Sequence, residues 1–211
     1  MKSEISIKLA KKLLQIKAIK LQPTNPFTWA SGMKSPIYCD NRKTLSYPEV
    51  RDFIRDAFVE QIGIVFPGVD IIAGVATGAI AHGVLVAEKM KLPFVYVRSS
   101  PKGHGLENLV EGDISTGKNI VVVEDLISTG GSSLKAVDAL RKENVNVMGL
   151  FAIFTYEFEK ARVNFEEADC KFFSLSNYTT LIEAALETGY ISGDQSEILK
   201  KWRIDPENWL K

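Results

Sequence analysis

Cysteine is scarce in this 211-residue chain: Cys39 and Cys170 are the only two, they lie far apart, and no CxxC spacing occurs. That argues against a disulfide framework and a thiolate zinc site, and it suits a reducing cytoplasm. An excess of either charge is also missing, because 26 Lys and Arg balance 26 Asp and Glu. Non-specific nucleic-acid binding then lacks its usual basic field, and any positive patch must be local. Long apolar runs are absent too. Val145 to Phe154 falls well short of the roughly 20 residues that span a bilayer. Lysines spread through Met1 to Lys20 leave no continuous apolar core of a secretory signal. The expectation is a soluble cytoplasmic protein with neither membrane nor nucleic acid as partner. Two phosphate-binding signatures are lacking as well: no lysine follows Gly130 or Gly131 to end a Walker A loop, and the G-x-G-x-x-G fingerprint does not occur.

What is present reads as a single α/β domain over residues 1–211. A content of 45% hydrophobic and 25% charged residues is ordinary for a globular chain, and the length suffices for one core. Ile5, Leu9, Leu13 and Leu14 at helical spacing predict an amphipathic helix over about 3–18, with Lys11, Lys12 and Lys17 on its wet face. Pro23, Pro26, Gly32 and Pro36 punctuate a polar-aromatic segment with short strands expected within 27–40. A second helical pattern follows Tyr47-Pro48 to about Ile64. Residues 70–76 then read as a buried strand, Thr77-Gly78 as a turn, 79–89 as a helix and 93–97 as the next strand. That is a βαβ unit, and it implies parallel pairing. Residues 98–114 predict a loop of about fifteen residues, a length that is often functional. A strand over 118–124, a helix over 131–143 and a strand over 145–154 form another unit. A short strand near 171–175 and helices near 178–188 and 194–203 follow, so the sheet has at least four strands.

The most informative run is Ile120-Val-Val-Val-Glu-Asp-Leu-Ile-Ser-Thr-Gly-Gly-Ser132. A strand this apolar must be covered on both faces, so its carboxyl end is one of the few polar edges where a ligand can sit. Glu124 and Asp125 mark that edge. Ser128 to Ser133 supplies small residues, hydroxyls and backbone N–H groups at a helix start, which together suit an anion. Two carboxylates beside a phosphate would repel it unless they face neutral hydroxyls or a metal carried by the ligand. A phosphorylated sugar meets that requirement. A capped helix start with a tight glycine turn accounts for the second half of the run, but not for the acid pair.

In its apolar strand, two acids, two apolar residues and Ser/Thr-Gly turn, this run resembles the phosphoribosyl-pyrophosphate motif of the type I phosphoribosyltransferases. The resemblance implies that family's α/β fold, a mostly parallel central sheet flanked by helices, with a small N-terminal hood over about 20–45. It implies that Glu124 and Asp125 hold the ribose 2- and 3-hydroxyls. Ser128, Thr129, Gly130, Gly131 and Ser132 would cradle the 5-phosphate, with Leu126 and Ile127 inside the binding run. Tyr96-Val-Arg98-Ser-Ser-Pro-Lys102-Gly-His104-Gly105 resembles the mobile catalytic loop of the orotate phosphoribosyltransferases, with Arg98, Lys102 and His104 as cations at the leaving diphosphate. Phe27 to Arg42 resembles that family's substrate hood, with Ser-Gly-x-Lys-Ser-Pro intact, and Gly74 to Gly78 resembles its pyrophosphate loop. Similar wording recurs at Tyr178 to Glu183.

The family further implies phosphoribosyl diphosphate and orotate as substrates, Mg²⁺ carried mainly by the diphosphate rather than by protein ligands, and a homodimer in which the loop serves the neighbouring subunit. Some members carry lysine where this chain has Ala30, Thr77 and Ser99, and an arginine near Tyr156 to Phe158. The base carboxylate is therefore expected at Lys34 or Arg42, with Ser128 and backbone donors. A transferase for another base, or a regulator that senses the sugar diphosphate, shares the central motif. The hood favours orotate, and the charge balance and the Lys102/His104 loop count against a regulator. His82, Cys39 and Cys170 read as packing residues.

Overall fold

The computed structural model describes residues 3–29, 32–100 and 109–209. Lys102 and His104, with residues 101–108 of the expected loop, lie outside the described residues. Helix α1 (Glu4–Gln15) opens with Ser3, whose hydroxyl oxygen accepts from the Ser6 N–H. Strands β1 (Ile19–Leu21), β2 (Phe27–Thr28), β3 (Lys34–Ser35) and β4 (Ile37–Cys39) pair as two small antiparallel sheets, β1 with β4 and β2 with β3. They form the N-terminal hood, and a 3-10 turn, Asn41–Ser46, leads out of it. Helix α2 (Pro48–Val65) starts on proline, whose missing N–H is no loss in a first turn.

From there strands and helices alternate: β5 (Ile71–Val75), α3 (Ile80–Met90), β6 (Phe94–Val97), β7 (Val110–Glu111), β8 (Asn119–Ile127), α4 (Gly131–Lys142), β9 (Asn146–Thr155), α5 (Glu159–Glu167), β10 (Phe172–Asn177), α6 (Tyr178–Glu187) and α7 (Gly193–Ile204). The six-stranded sheet has the order β10-β9-β8-β5-β6-β7, parallel throughout except for β7 at its edge. Its wholly buried Ile/Val strands reflect cover on both sides. Leu9, Leu13, Ile54, Phe58, Leu181 and Trp202 pack one face through Val121, Val123 and Phe151, while Val137, Leu140 and Phe165 pack the other through Ile120, Val122 and Leu150. Among the described residues no helix is long and apolar enough to cross a membrane.

Besides β1 and the 3-10 turn, which the sequence did not announce, three elements differ from the sequence expectation. Helix α5 buries only Ala161 and Phe165, so its sequence carries almost no apolar period. Strand β7 is two residues of the expected 98–114 loop that zip back onto β6, Val110 opposite Val97. Strand β8 runs on through Asp125 to Ile127 instead of stopping at Glu124, because its last residues pair with β9 at Leu126–Phe154 and Ile127–Thr155.

Candidate active site

Strands β5 and β8 are neighbours, yet the chain leaves them in opposite directions, β5 toward β6 and β8 toward β9. The loops that follow such a pair part and leave a crevice at their carboxyl ends. After β5 comes Ala76 to Ala79, with a cis Ala76–Thr77 peptide. After β8 come Ser128 to Gly130, which lead into α4.

Glu124 and Asp125 are consecutive on β8 and so point to opposite faces. Glu124 turns to the α4 side and is 4% exposed. Its Oε2 accepts from the Ser133 hydroxyl at 2.8 Å and its Oε1 from the Asp125 N–H at 3.0 Å. Burial, and after it the charge of Asp125, pushes the Glu124 carboxyl well above the usual carboxylate range. Asp125 is half-buried on the other side, against Gly78, where any side-chain carbon would overlap its carboxylate. Its carbonyl accepts from the Nδ2 of buried Asn41 at 2.6 Å.

The turn after the strand needs glycine at Gly130, where φ is +82° and a Cβ would sit 2.5 Å from Phe165 Cε2. Gly130 also leaves α4 without a side-chain cap. The N–H groups of Gly131, Ser132 and Ser133 thus lack an intrahelical partner and lie at the positive end of the helix dipole. Helix α5 braces this turn, with Asn164 Nδ2 donating to the Thr129 carbonyl at 2.8 Å. Nothing in the sequence around Asn164 or Phe165 marks them as supports of the turn. Ile127 is wholly buried and offers its backbone only, its carbonyl accepting from Tyr156 N–H at 3.1 Å.

Two cavities flank the acids. One, of about 490 Å³, lies between the ends of β5 and β6 and α4, with Ala76, Arg98, Ser99, Ser132 and Lys135 in its wall. The Arg98 N–H donates to Leu109 O at 2.8 Å, and its guanidinium lies 3.3 Å from Glu111 Oε1. Lys135 is a cation that the sequence did not single out, since no motif surrounds it. The other cavity, of about 340 Å³, lies under the hood between Thr28, Trp29, Tyr38, Cys39, Leu126, Ser128 and Tyr156. The Trp29 and Tyr156 rings lie 5.5 Å apart, and Trp202 backs both at 6.0 and 5.9 Å. Trp29 is pinned by donating its indole N–H to Ile37 O at 3.2 Å. The Tyr156 hydroxyl, pushed well up by burial, makes no hydrogen bond among the described residues.

Of the residues expected at the base, Ser128 is in this lining. Lys34 reaches the rim, donating from Nζ to Thr28 Oγ1 at 2.8 Å. Arg42 is engaged by the two oxygens of Asp40 at 2.7 and 3.1 Å. The aromatic walls come from three distant segments, which no local pattern joins.

Residues 46–188 match the phosphoribosyl transferase domain. The orotate phosphoribosyltransferase of Porphyromonas gingivalis is 58% identical over 201 residues, 95% of this chain and 96% of that one. The chain belongs to the orotate phosphoribosyltransferase family. Another orotate phosphoribosyltransferase, from Lactococcus lactis subsp. cremoris, is 56% identical over 205 residues, 97% of this chain and 98% of that one. The crystal structure of orotate phosphoribosyltransferase from Aeropyrum pernix superposes with a TM-score of 0.74 at 26% identity, covering 87% of this chain and 99% of that one. Leishmania donovani UMP synthase shares the fold at a TM-score of 0.79 and 22% identity, over 96% of this chain and 42% of that one. The family's fold thus accounts for the mostly parallel sheet and for the position of the crevice.

Proposed function

We propose that residues 1–211 act as one domain that transfers the phosphoribosyl group from 5-phosphoribosyl 1-diphosphate to N1 of orotate, giving orotidine 5-phosphate and diphosphate. The observation that carries this reading is the arrangement at the carboxyl end of β8. Asp125, the uncapped start of α4 and the aromatic cavity under the hood meet there, one place each for ribose, phosphate and base. The 5-phosphate takes the N–H groups of the first turn of α4 and the hydroxyls of Ser128, Thr129 and Ser132. Asp125 accepts from the ribose hydroxyls, and Glu124, expected to share that role, does so only if its enclosed carboxylate leaves Ser133. The base lies in the cavity under the hood, against the wall that Trp29 and Tyr156 form together, with Ser128 as a polar contact and Lys34 at the rim for its carboxylate.

Little covalent work falls to the protein. As the C1–O bond breaks, the ribose becomes oxocarbenium-like and the diphosphate gains negative charge, so cations placed there lower the barrier. Arg98, Lys102 and His104 are those cations, and release of Arg98 from Glu111 frees its guanidinium for the diphosphate. Among the described residues no three or more His, Cys, Asp and Glu side chains gather as a metal cage, and the single half-buried Asp125 suits an ion that arrives on its substrate. Asp125 would sit beside Mg²⁺ brought in on the diphosphate, which would supply charge neutralisation at the leaving group. The protein works in the cytoplasm as a homodimer whose 98–108 loop reaches the neighbouring site, with no nucleic acid or membrane as partner. Mixing it with Mg²⁺, the sugar diphosphate and orotate should consume orotate absorbance. Turnover of another base in a panel, with orotate inert, would refute the assignment.

A further inference from the structure

Asp125 is held from two sides, and the segments that hold it are tied together through Thr44 and His82. On one side, Asn41 donates from Nδ2 to the Asp125 carbonyl at 2.6 Å, an orientation fixed because its Oδ1 accepts from the Cys39 thiol at 3.5 Å. On the other, Gly78 abuts the Asp125 carboxylate from the loop that precedes α3. Thr44 links the two. Its hydroxyl donates to the Asn41 carbonyl at 2.6 Å, and its oxygen lies 3.1 Å from His82 Nε2, in the first turn of α3. A hydroxyl has one proton, and at 2.6 Å that proton must lie between Thr44 and the Asn41 carbonyl. His82 therefore carries its own proton on Nε2 and donates to Thr44. Its Nδ1 has no partner among the described residues, in a ring that is 1% exposed. Asn41, Thr44 and His82 are all buried, and none lines either cavity.

We propose that Asn41, Thr44 and His82 form a positioning clamp that locks the Ala76–Ala79 loop to Asp125, keeping the leaving group aligned with the ribose. The contacts run from Asp125 to Asn41 to Thr44 to His82, and the chain itself leads back from His82 through the start of α3 to Gly78 beside Asp125. Neither the loop nor the acid then shifts without the other. A buried imidazole with an orphaned nitrogen is a poor choice for packing alone, since leucine fills such a volume without stranding an acceptor. The clamp rests on the reading that Asp125 binds ribose and the Ala76–Ala79 loop faces the diphosphate.

The test is steady-state kinetics of Thr44→Val, Thr44→Ser and His82→Leu, with melting temperatures alongside. Valine keeps the shape of threonine and removes the hydroxyl, while serine keeps the hydroxyl. Thr44→Val should raise KM for the sugar diphosphate and lower kcat, each by about tenfold, the scale expected for small misplacement of reacting groups. KM for orotate should stay within about twofold, and Thr44→Ser should restore both parameters. His82→Leu should melt no lower than the parent and still show the same kinetic loss, which a merely structural role does not produce. Parental kcat and KM in both Thr44→Val and His82→Leu overturn the clamp. Asp125→Asn in the same assay separates the two levels. If it weakens the sugar diphosphate while the clamp variants do not, the clamp alone fails; if it too is silent, the placement of ribose at Asp125 fails.

Discussion

The two ends of the crevice are built in different ways. The phosphate end is main chain: a strand end, a glycine at φ +82° and the uncapped first turn of α4, all within Glu124 to Ser133. The base end is side chains gathered from the hood, from β8 and from Tyr156 beyond β9, with Trp202 of α7 behind them. A site made of consecutive backbone depends on few residue types and tolerates little change in them. A site assembled from distant side chains can exchange its charged groups while the sugar-phosphate chemistry stays the same.

That contrast can be broken at graded depth. Lys102→Ala is expected to cut turnover by roughly two or more orders of magnitude with folding and sugar-diphosphate binding nearly intact, on the scale of other transition-state charge contacts. An unchanged kcat would remove Lys102 from the chemistry. Asp125→Asn takes a charged acceptor from the ribose and should weaken binding of the sugar diphosphate by about 1.5–3 kcal/mol in calorimetry, with little effect at the base end.

The acid range probes the support beneath that carboxylate. Burial lowers the His82 pKa from 6.5 to about 4. The unfolded chain therefore takes up this proton first as pH falls, and stability drops between about pH 6.5 and 4, by about 2 kcal/mol at pH 5. For a chain of this size that is a fall in Tm of roughly 4–8 °C, which His82→Leu should lessen. If the variant and parent keep the same Tm difference at pH 7 and pH 5, His82 is not the titrating group. The smallest change falls at the base end. Tyr156→Phe removes one hydroxyl that bonds nothing among the described residues, so Tm should hold while KM for orotate rises roughly 2- to 10-fold, the worth of one neutral hydrogen bond. A matching rise in KM for the sugar diphosphate would contradict a division of the crevice into two ends.

The same contrast explains what could be read from the chain. Ile120 to Ser132 was legible because strand, acids, turn and helix start are consecutive, and the order of chemistry along the chain is the order in space. The alternating strands and helices from Ile71 to Thr155 were legible for the same reason, through their apolar periods. Helix α5 was not, because a helix with two buried side chains has no stripe to see, although its Asn164 and Phe165 hold the phosphate turn. The burial of Glu124 was hidden as well, since the pleat alone sends adjacent acids to opposite faces and only the position of α4 decides which one is enclosed. Trp29 and Tyr38 fall within the hood segment, but only the fold brings Tyr156 to the same cavity. His82 was read as packing, and its bond to Thr44 needs the 3-10 turn that no apolar pattern announces.

One contact near the chain ends bears on how the protein comes into being. The Ser176 hydroxyl on β10 donates to the Ser6 carbonyl at 2.9 Å, and Ser6 in turn donates from its own hydroxyl to Ser176 Oγ at 3.3 Å, across 170 positions of sequence. The first helix thus has its berth among some of the last elements to leave the ribosome, and Trp202, which backs the base cavity, emerges later still. During synthesis the parallel strands can pair as they appear, while α1 waits for β10 before it has its partner surface. The phosphate end can then form earlier on the growing chain than the base end, so the site gains its hold on the sugar phosphate before its choice of base.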